Sequence, residues 1–181
     1  MKTLYLLRHA QAMPLDLGNT RDHERPLTPK GQMDANALGR EMMKRALLPD
    51  LVLCSSARRT QETCRIMKQH FPREISTHFL PTLYETSKSG LFHIIQGTRD
   101  TADTLLVIGH NPALHELCAA FSTHAPETIV HRLMQGYPPA TLSVITFPQT
   151  EWEQIELDSG KISLYLTPQD YNAPQTPTRW M

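Results

Sequence analysis

The apolar residues of this chain fall into short runs that each break off at a polar corner. Residues 4–7, Leu-Tyr-Leu-Leu, are followed at once by Arg8 and His9. A run of that length and composition predicts a buried strand that delivers the arginine and the histidine to its carboxyl end. The pattern returns at 51–54, which leads into Ser55 to Arg59, and at 104–108, which leads into Gly109 and His110.

Between these runs the apolar period lengthens to that of helices. Thr28 reads as an N-cap with Pro29 at the first helical position, and Met33, Ala37, Met42 and Leu47 mark an amphipathic helix reaching Leu48. Ser55 and Ser56 read as caps of a second helix running to about His70. Further helices are predicted around Leu91 to Ile95, ending near Gly97, and over 112–121. Residues 74–79 are expected to form an edge strand, 141–147 and 161–166 read as strands, and another short strand is expected at 152–157. Residues 14–26 and 125–139 read as loops.

Three apolar strands, each followed by a helix, predict an α/β three-layer sandwich. Its central sheet is mostly parallel with helices on both faces, and the later, helix-poor strands add an antiparallel edge. In a parallel sheet the polar corners lie along one rim, where ligands gather, so residues far apart in sequence can share a pocket.

The length of 181 residues fits one domain, expected over 1–166, with 167–181 as a surface tail holding three prolines. Eighteen basic and eighteen acidic residues cancel, so neither nucleic acid nor a membrane is an expected partner. Lys2, the first apolar run and Ala10-Gln11-Ala12 superficially resemble a secretory signal, but Arg8 and His9 interrupt the run well short of the roughly 7 apolar residues such a signal needs. No apolar run approaches the roughly 18 residues of a membrane span, and a cytoplasmic location is expected. Cys54, Cys64 and Cys118 are odd in number and form no C-x-x-C pair, as suits reduced thiols. The nine histidines show no zinc spacing, and neither a metal nor another cofactor is expected.

Arg8, His9, Arg59 and His110 on one rim would make a cationic, fork-shaped set of donors. Guanidinium groups match phosphate oxygens bidentately and stay charged, which makes phosphate the natural ligand. A neutral imidazole is a competent nucleophile toward phosphorus and leaves readily afterwards, so a cage of fixed cations can supply most of the catalysis without a metal. A carboxylic acid would help by protonating a poor leaving group.

These residues also carry a family resemblance. Leu7-Arg8-His9-Ala10, Arg25-Pro-Leu-Thr-Pro-Lys-Gly31, Ser55-Ser-Ala-Arg-Arg59-Thr-Gln-Glu-Thr63 and Val107-Ile-Gly-His110-Asn-Pro resemble, in order, the signature elements of the histidine phosphatase superfamily, whose fold is called phosphoglycerate mutase-like. The short chain looks most like the SixA-type phosphohistidine phosphatases. The resemblance implies that His9 is the nucleophile, that Arg8 and Arg59 hold phosphoryl oxygens with His110 beside them, and that Arg25 is a further phosphate contact. Arg58 is left facing solvent or the substrate's approach. Thr60 stands where many relatives have alanine. The proton donor is expected in Leu83-Tyr84-Glu85-Thr86, with Glu85 the candidate and Asp22 and Glu24 weaker ones.

The expected function is therefore hydrolysis of a phosphoryl group through a phosphohistidine on His9, with a phosphohistidine protein as the first candidate substrate. A small phosphorylated metabolite, as substrate of a phosphatase or a mutase, and a noncatalytic phosphate-binding module are the alternatives.

Overall fold

In the computed structural model, residues 1–15 and 21–173 are described; residues 16–20 of the expected 14–26 loop and 174–181 of the expected tail lie outside the described residues. The strands are β1 (Lys2–Arg8), β2 (Leu51–Ser55), β3 (Ser76–Leu80), β4 (Thr104–Gly109), β5 (Leu142–Phe147) and β6 (Lys161–Leu166). The helices are α1 (Pro29–Lys44), α2 (Arg58–Lys68), α3 (Lys88–Gln96), α4 (Ala113–Ala120) and α5 (Glu127–Gln135). The strands form one sheet in the order β3-β2-β4-β1-β5-β6. β1 to β4 run parallel, whereas β5 pairs antiparallel to β1 and β6 antiparallel to β5.

Burial on both faces of the sheet explains the unbroken apolar runs of the central strands. Alternate residues of β1 point to opposite cores: Leu4 and Leu6 pack with Leu114, Leu117 and Phe121 of the α4 side, Tyr5 and Leu7 with Leu38, Met42 and Met67 of α1 and α2. The expected three-layer α/β architecture is the one observed.

Local differences have physical causes. Thr28 does cap α1, its hydroxyl accepting from the Gly31 amide at 2.9 Å. The helix stops at Lys44 rather than Leu48, because Ala46 adopts φ 56° and the amides of Ala46 and Leu47 turn back to the carbonyls of Met43 and Met42. That is the Schellman arrangement, with alanine where glycine is the unstrained choice. Ala46→Gly at this exposed position is expected to raise stability by about 1 kcal/mol, read as a Tm increase of about 3 °C. A lower Tm would contradict the strain assigned to Ala46.

Residues 125–139, read as loop, contain α5, whose Leu133 is buried and whose Ile129 packs on the core. The strand expected at 152–157 is instead a 3-10 turn at Trp152–Gln154. Trp152 is fully buried there, donating through Nε1 to the Ala102 carbonyl at 2.7 Å with the buried Lys2 ammonium 5.7 Å from its ring. Among the described residues no helix is long and apolar enough to cross a membrane.

Candidate active site

The register of three neighbouring strands assembles the site. Arg8 pairs with Gly109 and Cys54 with Ile108, so His9, His110 and Ser55 emerge side by side at the carboxyl ends of β1, β4 and β2. The rings of His9 and His110 have centroids 5.2 Å apart, and Ser55 Oγ lies 2.7 Å from His110 Nε2.

His9 is 8% exposed. Its Nδ1 lies 2.7 Å from the Ala10 carbonyl. A carbonyl only accepts, so Nδ1 carries the proton and Nε2 of the neutral ring keeps its lone pair. Burial pushes the imidazole down to about 3, with His110, Arg59 and Arg8 adding to the depression and the Ala10 carbonyl opposing it. The loop after His9 is held by two features of the α1 and α2 motifs. Thr63 accepts from the Ala10 amide at 3.0 Å while donating to the Arg59 carbonyl at 2.7 Å. A Cβ on Gly31 would lie 2.1 Å from the Gln11 carbonyl oxygen, so only glycine lets α1 approach this loop so closely.

Arg59, in the first turn of α2, is buried, whereas Arg58 is exposed and ion-paired with Glu62. Arg59 donates from Nη1 to the Asp22 carbonyl at 2.8 Å, and from Nη2 to Asp22 Oδ2 at 3.2 Å and His110 Nδ1 at 3.3 Å. Accepting at Nδ1 makes His110 a donor at Nε2, toward Ser55. Burial, followed by the Arg59 charge, pushes His110 down to about 4. Arg8 donates from Nη1 to the Tyr137 carbonyl at 2.8 Å, an oxygen that also accepts from Asn111 Nδ2 at 3.0 Å. Arg8 Nε and Arg59 Nε are buried without a hydrogen-bond partner among the described residues. Two buried guanidinium edges with unused donors suit an anion.

Asp22 is tied into this cluster. Its Oδ2 accepts from the Tyr84 hydroxyl at 2.5 Å and its Oδ1 from Arg25 Nε at 2.8 Å. The Tyr84 hydroxyl, with Arg25 and Arg59, holds the carboxyl at about 2 despite partial burial. Arg25, expected at phosphate, places Nε and Nη2 on Asp22 and Nη1 on the Met13 carbonyl, one carboxylate away from Arg59. Among the described residues the exposed Glu85 side chain makes no hydrogen bond or ion pair, and the Glu24 carboxylate bonds His23.

Sequence reasoning missed Ser55, Tyr84 and Tyr137 as site components. Ser55 was read as a helix cap; α2 instead starts after Ala57, without a side-chain cap, and the Ser55 hydroxyl faces His110. Tyr84 sits beside the candidate Glu85, and its ring meets those of His110 and His23 edge-on. His115 Nε2 bonds the Leu133 carbonyl at 2.7 Å. Among the described residues no three His, Cys, Asp or Glu side chains are grouped so as to hold a metal ion.

Residues 4–89 match the sequence model of the histidine phosphatase superfamily (branch 1). The candidate phosphohistidine phosphatase SixA of Agrobacterium tumefaciens superposes with a TM-score of 0.78 at 24% identity, covering 92% of this chain and 98% of that one. Its counterpart from Nakamurella multipartitia gives 0.76 at 26% identity, covering 92% and 96%. Residues 4–89 belong to the histidine phosphatase superfamily. An uncharacterized chloroplastic protein of Arabidopsis thaliana is 32% identical over 130 residues, 67% of this chain, which spans 59% of that relative's length. The superfamily match at 4–89 takes in Arg8, His9, Arg25 and Arg59; His110 and the Tyr137 carbonyl come from the later part of the fold.

Proposed function

We propose that this protein is a phosphatase that removes phosphoryl groups from protein phosphohistidine through a covalent phosphohistidine on His9. The observation that carries the reading is the state of His9: a buried neutral ring whose Nδ1 proton is fixed on Ala10, leaving Nε2 free to attack between Arg8 and Arg59.

In the first step Nε2 forms a bond to phosphorus, and the P–N bond of the substrate breaks with its electron pair returning to the leaving imidazole. Protonated on its other nitrogen beforehand, that imidazole departs neutral and needs no acid from the protein. Arg8 and Arg59 neutralise the phosphoryl oxygens as charge redistributes, with His110 held beside them by Arg59 and Ser55. Water then attacks phosphorus. His9 leaves with its Nδ1 proton still on Ala10, and the two protons of the water end on the released phosphate.

The carboxylate joined to this cluster favours the same substrate class. Asp22, held near 2, is ionised at neutral pH and is a poor proton donor. Alkyl phosphate esters need such a donor, whereas phosphohistidine does not. Turnover of a phosphohistidine protein is therefore expected to exceed that of alkyl phosphate metabolites in kcat/KM by about 10²-fold or more, the usual contribution of a general acid. Phosphate release across both substrate classes measures this, and comparable turnover of an alkyl ester would overturn the assignment.

A further inference from the structure

His9, His110, Tyr84 and His23 form a continuous row of rings. The successive centroids are 5.2, 5.7 and 4.8 Å apart, and the last two contacts are edge-on at 83° and 82°. The row climbs from the floor of the site to its rim: His9 is 8% exposed, whereas the His23 side chain is 36% exposed. Both outer rings are fixed. The Tyr84 hydroxyl donates to Asp22 at 2.5 Å, and His23 bonds Ser56 Oγ at 2.9 Å through Nε2 and Glu24 at 3.2 Å through Nδ1. The inner contact of Tyr84 is with a group that would hold the phosphoryl oxygens and the histidine beside it, its ring lying 5.8 Å from the Arg59 guanidinium and edge-on to His110.

In-line transfer places the leaving group on the side of phosphorus opposite the attacking Nε2, which is the side from which solvent is reached. We propose that Tyr84 and His23 form a leaving-group subsite that receives a planar heteroaromatic ring, the imidazole of a phosphorylated histidine. This deepens the function proposed above and rests on it. Aromatic side chains at the rim offer edge and face contacts to such a ring that an alkyl or ammonia leaving group cannot use. The Asp22 and Glu24 carboxylates behind the two rings suit the positive charge that a phosphorylated imidazole carries on its remote nitrogen.

The test compares N-phosphoimidazole with phosphoramidate, two compounds with a P–N bond of which only the first has a ring. The readout is the ratio of their kcat/KM values in the full chain. Tyr84→Leu and His23→Leu are each expected to lower this ratio about fivefold to tenfold, and Tyr84→Phe, which keeps the ring and loses the hydroxyl, to preserve it. A support role for Arg59 alone would lower both substrates equally and leave the ratio unmoved. That result in both leucine variants, or collapse of the ratio in Tyr84→Phe, overturns the subsite. No turnover of either compound by the wild type, and no phosphate trapped on His9, would remove the parent reading as well.

Discussion

Replacing His9 by alanine is expected to lower phosphoryl turnover by about 10⁴-fold or more, the scale on which enzymes lose rate when a covalent nucleophile is removed. The wild-type protein, quenched during turnover, should carry acid-labile phosphate on His9, and the variant none. A variant that kept its turnover would exclude covalent catalysis at this residue.

The same residue makes a pH prediction. The ordinary imidazole titrates near 6.5, whereas burial and the neighbouring cations hold His9 near 3 and His110 near 4. Between pH 5 and 8 both rings should therefore stay neutral, and the nucleophile should not be lost on mild acidification. For stability the sign is the reverse of that for a histidine that gains a partner. Below about 6.5 the unfolded chain binds protons that the native rings refuse, so these two residues make stability fall as pH drops from 6.5 toward 3. NMR titration of the His9 Cε1 proton checks the charge state directly; an inflection near 6.5 would contradict it.

How the sequence revealed the site follows from where information sits in a parallel sheet. A strand buried on both faces must be apolar until it leaves the sheet, so Arg8, His9 and His110 mark strand ends with little ambiguity. Their convergence depends on β4 lying between β1 and β2, a strand order that pattern alone does not set. Polar residues in loops carry no such constraint. At 84 and 85 a tyrosine and a glutamate stand side by side, and which one turns inward depends on the 3-10 turn at Pro81–Leu83, which has no periodic signature. The helix α5 was hidden because Pro126, Gly136, Pro138 and Pro139 punctuate its neighbourhood, so nine helical residues looked like part of one long loop. That misreading also concealed the Tyr137 carbonyl, the anchor of Arg8, because its position depends on the chain leaving α5 through Gly136 at φ 138°.

Arg59 is expected to give the second large effect. Its guanidinium combines three tasks that a single positive charge cannot perform. Nη1 and Nη2 hold Asp22, Nη2 also sets the tautomer of His110, and the buried Nε has no partner among the described residues to compete with a phosphoryl oxygen. Arg59→Met removes both charge and fork, and kcat/KM should fall by about 10³-fold, with inorganic phosphate inhibiting correspondingly less well. Arg59→Lys restores the charge without the planar fork, so it should recover only part of that loss. The two variants also separate anion binding from support through His110. The Arg59 charge is the second cause of its depression after burial, so His110 should titrate above about 4 in the methionine variant and stay closer to that value in the lysine variant. If the methionine variant bound phosphate as tightly as the wild type while His110 shifted, Arg59 would be a positioning residue for His110 rather than part of the phosphate cradle.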